Sequence, residues 1–326
     1  MTSAVLAHVI ESISPASAAH AEGARLRVAS AGAGVLERLA VALGGAQHAA
    51  TVRVARRAVV VVAGDHGCGD PGIALGAEHP TARAARAIAD GTAALVAVAR
   101  TSATPVVLVD AGMAERAHAP ATAVALGGGP SRDLTLGPAL DAEEAVRGLE
   151  AGIALALSLA EPGGGLDVIA LGALGVGAEV ASAALLGAAT GSAPTGLRDS
   201  GAEAAGALGV TQHGAGALAW LAAYGGPDTA VLAGLILGAA SLDAAVILDG
   251  EATGAAAVIA CALAPAARGY LVAAHRGAFT QPALLAYLGL APLFEVGLGH
   301  GDGTGAAMAL PLVLQVAALA AGYNGA

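Results

Sequence analysis

Six short runs of Val, Ile and Leu recur along the chain without the alternation of a half-exposed strand, and they limit the fold more than any other feature. They are AVVVVAG (58–64), PVVLVDAG (105–112), LDVIALGALG (166–175), AAVILDG (244–250), GYLVAAHRG (269–277) and LFEVGLG (293–299). A strand with one wet face alternates polar and apolar residues, whereas an unbroken apolar run is covered on both faces. Ala-rich stretches of helical length lie between the runs, among them 81–99, 141–160, 178–189 and 252–264. Alternation of this kind predicts an α/β protein with a doubly wound, mostly parallel sheet. The helical segments at the two ends, 1–50 and 306–326, are expected to form a small cap on a main domain of residues 51–305.

Open α/β sheets bind ligands beyond the carboxyl ends of their strands, so the residues that follow each run are the informative ones. Asp65, His66 and Gly67 follow the first, Asp110 the second, and Gly172, Ala173, Leu174 and Gly175 close the third. Asp249 and Gly250 end the fourth, His275 and Arg276 the fifth, and His300, Gly301 and Asp302 come after the sixth. Polar and glycine-rich residues far apart in sequence are thereby expected at one edge.

Composition removes several function classes. The chain has a net charge of −10 and no lysine among its 326 residues, which argues against nucleic acid, whose binding rests on clustered Lys and Arg. Mean hydropathy is high at +0.71. Yet the one long uncharged stretch, 303–326, is interrupted by Pro311, Gln315, Tyr323 and Asn324. Its clean part falls short of the ~20 apolar residues a membrane span needs, so a buried helix is expected. The first residues carry no basic segment ahead of an apolar core, so no signal peptide is read. Cys68 and Cys261 make neither a disulfide framework nor paired metal spacing. The chain reads as soluble and cytoplasmic.

Individual motifs carry competing readings. GALGVGAEV (172–180) sets glycines between a strand and a helix, a turn whose free amides and helix N-terminus suit a phosphate. GDHGCGD (64–70) gathers Asp65, His66, Cys68 and Asp70, but without the second Cys/His pair of a tetrahedral metal site; a strand-end turn is the simpler reading, and neither metal nor cofactor is expected. There is no Gly-x-Ser-x-Gly elbow and no Walker lysine. Asp302 stands among five glycines in VGLGHGDGTGAAMALP (296–311). It reads either as a general base in a low-dielectric pocket or as a cap on the helix that follows, near Thr304 and Gly305.

In chain order, AGAGVLERLA (31–40), VVAGDHG (61–67) with Thr81 and DGTAAL (90–95), VLVDAGM (107–113), GPALDAEEA (137–145), ILDG (247–250) and GHGDGTGAAMALPLV (299–313) resemble the motifs of the nicotinate-nucleotide:dimethylbenzimidazole phosphoribosyltransferase family. The resemblance implies a parallel sheet with a helical cap and a homodimer. It implies a reaction in which nicotinate mononucleotide gives its phosphoribosyl group to a ring nitrogen of an aromatic base, dimethylbenzimidazole in cobalamin lower-ligand synthesis. Asp302 stands where the family glutamate deprotonates that base. Substrate contacts are implied at Asp65, His66, Leu174, Gly175, Val176, Gly177, Asp249, His275, Gly301 and Gly303.

Departures cluster at the same edge. Asp302 is one methylene shorter than the family glutamate. Ala173 replaces a second carboxylate, and Ala74 and Arg83 stand at the serine and glutamine of the base pocket. A phosphate-binding lysine aligns near Ala205, and the Ser-His-x-Ser motif is reduced to Ala274-His275-Arg276-Gly277. Arg83, Arg198 or Arg276 are candidates to take over an anionic contact, since guanidinium suits phosphate. Three readings follow: the family reaction with Asp302 as base, the same transfer onto another aromatic acceptor, or a catalytically impaired paralogue that binds a nucleotide or a partner subunit.

Overall fold

The computed structural model describes residues 3–29, 32, 34–118, 120, 124–161, 164–192 and 214–322. In chain order its elements are α1 (Ala4–Ser12), α2 (Ala18–Val28), α3 (Val35–Ala46), β1 (Arg57–Gly64), α4 (Pro80–Ala89), α5 (Ala94–Thr101), β2 (Val106–Gly112), β3 (Val124–Ala125) and α6 (Ala142–Ala160). There follow β4 (Val168–Leu174), α7 (Ala178–Thr190), α8 (Ala217–Tyr224), α9 (Pro227–Ser241), β5 (Ala245–Leu248), α10 (Glu251–Leu263), β6 (Leu271–Ala273), α11 (Gln281–Leu288) and α12 (Thr304–Ala321).

The six strands form one sheet in the order β3-β2-β1-β4-β5-β6, and every pairing is parallel. The first three strands build outward from β1 and the last three outward from β4. The order reverses between these two, where a doubly wound sheet opens its crevice. Ala63 pairs with Leu174, so the residues after β1 and β4 meet at that reversal. Both strands are Val/Ile/Leu/Ala runs buried on both faces, as their lack of alternation predicts.

The chain's many glycines and alanines have a packing role in the layer formed by α6 and α9. A Cβ on Gly152 would run into the Val231 carbonyl and one on Gly234 into that of Leu149, while Gly148 meets Ala230 and Gly238 meets Ala156. Each helix thus carries two glycines four residues apart on one face, and the two backbones approach as no larger side chain would allow. One cluster of buried apolar residues runs through the sheet and both chain ends, including Leu6, Leu39, Val61, Ile169, Val246, Leu310 and Val313. Helix α12 is long and apolar enough to cross a membrane by length and composition, and 44% of it is buried inside the fold.

Two expectations are corrected, and one strand is unannounced. Residues 293–299 form no strand: only Phe294 bridges to His275, because Gly297 turns to φ +68° and breaks the extended run. The helix expected over 81–99 is two, α4 and α5, divided where Gly91 takes φ +74°. The two-residue edge strand β3 lacks a hydrophobic run to announce it.

Candidate active site

Asp65 leaves β1 buried and spends its carboxylate on three segments at once. Oδ1 accepts from Thr81 Oγ1 at 2.5 Å and from the Val176 N–H at 2.9 Å, and Oδ2 accepts from the Ala114 N–H at 2.8 Å. It therefore ties the start of α4 and the turn after β4 to the loop after β2. Next to it the His66 N–H donates to the Val176 carbonyl at 2.9 Å, and its ring lies 3.1 Å from Asp228 Oδ1 with both side chains out of solvent. Burial alone would lower the His66 pKa; the Asp228 charge and contact more than offset it, leaving it raised.

Asp249, at the end of β5, does the same for the other half. Oδ1 accepts from the Ala306 N–H at 2.9 Å and Oδ2 from the Gly303 N–H at 2.7 Å, while His275 Nε2 lies 3.0 Å from Oδ1. Burial raises the Asp249 pKa, with His275 and the Gly303 N–H opposing it. For His275, burial pulls down and the Asp249 hydrogen bond pulls up further, leaving it raised.

Glycine is required where these segments close on one another. A Cβ on Gly172 would strike the backbone of Asp302 and Gly303, one on Gly250 would lie 2.5 Å from Gly301 Cα, and one on Gly305 would overlap His275 and Asp249. The glycine-rich stretch around Asp302 thus lets its backbone lie against the strand ends, with Ala173 N–H donating to the Gly301 carbonyl at 2.8 Å.

Between the halves lies a cleft of about 440 Å³, the size of small-molecule sites. Of the sequence-predicted residues, Ala173, Leu174, Gly175, Val176, His275, Gly301 and Asp302 line it. Asp65, His66, Gly177, Asp249 and Gly303 stand outside the lining and hold it up. Asp302 faces the cleft, and its Oδ1 accepts from the Thr304 N–H at 2.9 Å.

Other predicted positions lie away from the lining or outside the described residues. Ala74 is exposed in the loop before α4 and away from the lining. Arg83 is exposed beside Glu78 at 3.9 Å; Pro80, Thr81 and Ala84 face the cleft, and the helical turn of ~100° per residue carries Arg83 off that face. Arg276 pairs outward with Glu295 at 3.3 Å. Arg198 and Ala205 lie outside the described residues. The glycine turn has fewer free amides than expected, since Val176 gives its N–H to Asp65. Cys68 lies beneath it with its thiol pushed up to about 12 by burial, and among the described residues no three His, Cys, Asp or Glu group as metal ligands.

Sequence reasoning left Glu179, Glu251 and Gln281 off the site, yet all three line the cleft. The two acids were legible as first-turn residues of helices that follow strand ends. The described lining holds these acids and Asp302 with His275 and His300, and no arginine. Helices α4, α7, α10 and α12 begin at or beside it, and their amino ends offer the partial positive charge that suits an anion. A carboxylate for a ring N–H and helix ends for a phosphate suit group transfer between phosphorylated and aromatic partners.

A family model described as phosphoribosyltransferase matches residues 11–324. The nicotinate-nucleotide–dimethylbenzimidazole phosphoribosyltransferase of Desulforudis audaxviator is 35% identical, over 97% of this chain and 95% of its own. That of Deinococcus radiodurans is 36% identical over 97% and 93%. A crystal structure of CobT from Thermus thermophilus superposes with a TM-score of 0.80 at 29% identity, covering 93% of this chain and 96% of that one.

Proposed function

Because the chain belongs to the nicotinate-nucleotide–dimethylbenzimidazole phosphoribosyltransferase family, we propose that it moves the phosphoribosyl group of nicotinate mononucleotide onto a ring nitrogen of dimethylbenzimidazole, the lower-ligand step of cobalamin synthesis. The ring nitrogen bonds to the ribose anomeric carbon while the bond to nicotinate breaks and its electron pair returns to the departing pyridine ring. The accepting ring loses its N–H proton to Asp302. One observation carries this reading: Asp302 faces the cleft with Oδ1 on the Thr304 N–H, so the carboxylate is held in place and Oδ2 is left to take a proton.

Ala173 favours a second reading. It faces the cleft where the resembling family has its second carboxylate, which leaves room and polarity for a different aromatic acceptor. In either reading the protein works as a cytoplasmic homodimer without a cofactor. The terminal helices serve as a cap on residues 51–305, a role supported by the Arg27 side chain reaching the Ala320 carbonyl at 3.5 Å.

The test is nicotinate release from nicotinate mononucleotide with a panel of aromatic bases, products identified by mass spectrometry. Release with dimethylbenzimidazole supports the first reading, and release with another base alone supports the second. Silence across the panel from a folded protein overturns both and leaves a nucleotide-binding or partner subunit.

A further inference from the structure

We propose that Gln281 and His275 are positioning residues for Asp302, acting through Asp249; the proposal rests on Asp302 as the base. Gln281 opens α11 and is 1% exposed. Its Nε2 donates to the backbone carbonyls of Asp249 at 3.1 Å and His275 at 2.9 Å, and its Oε1 accepts from the Gly277 N–H at 2.8 Å. One side chain therefore joins the chain just past β5 to the chain just past β6. With those ends fixed, His275 Nε2–H meets the Asp249 carboxylate, and that carboxylate takes the N–H groups of Gly303 and Ala306.

The arrangement divides two tasks that one acid would otherwise share. The first N–H groups of a helix need acceptors, and an aspartate just ahead of α12 would ordinarily be consumed in supplying them. Here Asp249 reaches across from β5 to take two, and Asp302 gives one oxygen to Thr304. Because Gly303 is the residue after Asp302, the Asp249 contact also sets where the Asp302 backbone lies. Thr253 Oγ1 accepts from the Asp249 N–H at 3.0 Å and closes the network.

The charged groups around His275 are few. Asp249 touches it, and Asp302, Glu179 and Glu251 line the same cleft; His300 is the other imidazole there. The neighbouring Arg276 is paired with Glu295, and the Phe294 ring stacks on the imidazole at 6.5 Å.

The experiment compares nicotinate release by Gln281→Ala, Gln281→Glu, His275→Ala and His275→Asn, with Asp302→Asn as reference and thermal unfolding of each. Misplacing a reacting group by about 1 Å can cost ~10²-fold, so Gln281→Ala and His275→Ala are expected to lower kcat by roughly 10- to 100-fold. KM for nicotinate mononucleotide should change less than kcat, because Asp302 acts on the accepting base rather than on the nucleotide. His275→Asn keeps an N–H donor toward Asp249 and should recover much of the kcat that His275→Ala loses. Wild-type kcat in folded Gln281→Ala and His275→Ala, with Asp302→Asn inactive, overturns the positioning role alone. A kcat loss in His275→Ala that His275→Asn does not rescue marks a merely structural role and overturns it too. An active Asp302→Asn sinks the base reading and this proposal with it.

Discussion

His66 Nε2 lies 3.1 Å from Asp228 Oδ1, and neither side chain reaches solvent. Gly64 and Gly226 make room for the pair, since a Cβ on Gly226 would overlap the His66 ring and one on Gly64 would lie 2.9 Å from Asp228 Cβ. Asp228 sits in the first turn of α9, where the helix dipole favours a carboxylate. The main chain of His66 meanwhile holds Val176 in the cleft wall. A buried histidine–carboxylate contact is thus built directly behind the turn that lines the cleft.

The pair gives stability a pH dependence of definite sign. The folded pKa of His66 is raised above its unfolded value near ~6.5, so the folded state holds the proton more tightly. The contribution is fully present below the unfolded pKa and is lost as pH rises through the folded one. His275, raised by Asp249, adds a slope of the same sign. Chemical denaturation between pH 6 and 9 should show stability falling with pH, and Asp228→Asn should be less stable with a shallower fall. A wild-type curve that rises over that range contradicts the pairing.

Asp302→Asn separates the two tasks of that residue. Asparagine Oδ1 can still accept the Thr304 N–H, and Asn caps as well as Asp, so the melting temperature should stay close to wild type. The amide takes no proton, and a lost general base costs about 10²- to 10⁴-fold. Nicotinate release should therefore collapse in a protein of unchanged stability. Unchanged release would leave Asp302 as a helix cap only.

How far this site could be read from the chain depends on the range of each contact. The strands β1 and β4 were legible because burial on both faces writes an unbroken apolar run, and with them came the edge where Asp65, Ala173 and Asp249 gather. Residues 293–299 carry the same composition, but one glycine at positive φ turns them aside. Gln281 was invisible because its partners lie up to 32 residues away and nothing in QPALLAYL marks a staple. Arg83 was misplaced for the opposite reason: its alignment with the family's base pocket says nothing of helical phase, and the phase turns it to solvent beside Glu78.

Gly305→Ala tests whether the Asp249–His275 pair is as tightly enclosed as it stands. In a helix, alanine is ordinarily favoured over glycine by up to ~1 kcal/mol. Here the added Cβ would overlap His275 Cδ2 and Asp249 Oδ1, with no flexible side-chain end to give way. Overpacking of this kind costs about 1–3 kcal/mol, visible as a lower denaturant midpoint at unchanged slope. A more stable variant would mean that the pair has room to move.

Ala173→Glu asks whether turnover can be strengthened from the part of the cleft wall beside Asp302. Ala173 is half-buried and faces the cleft, and its N–H is already fixed to the Gly301 carbonyl. A side chain added there grows from anchored backbone into a space of about 440 Å³, so the fold should tolerate it. In the family this chain resembles, a carboxylate occupies the position. If the chain performs the same transfer on dimethylbenzimidazole, the added acid should raise the rate of nicotinate release with that base, and an Asp302→Asn background should abolish the gain. A variant that folds, binds nicotinate mononucleotide and releases no more nicotinate than wild type would instead favour the rebuilt pocket, because restoring the family's carboxylate would then serve an acceptor this chain no longer uses.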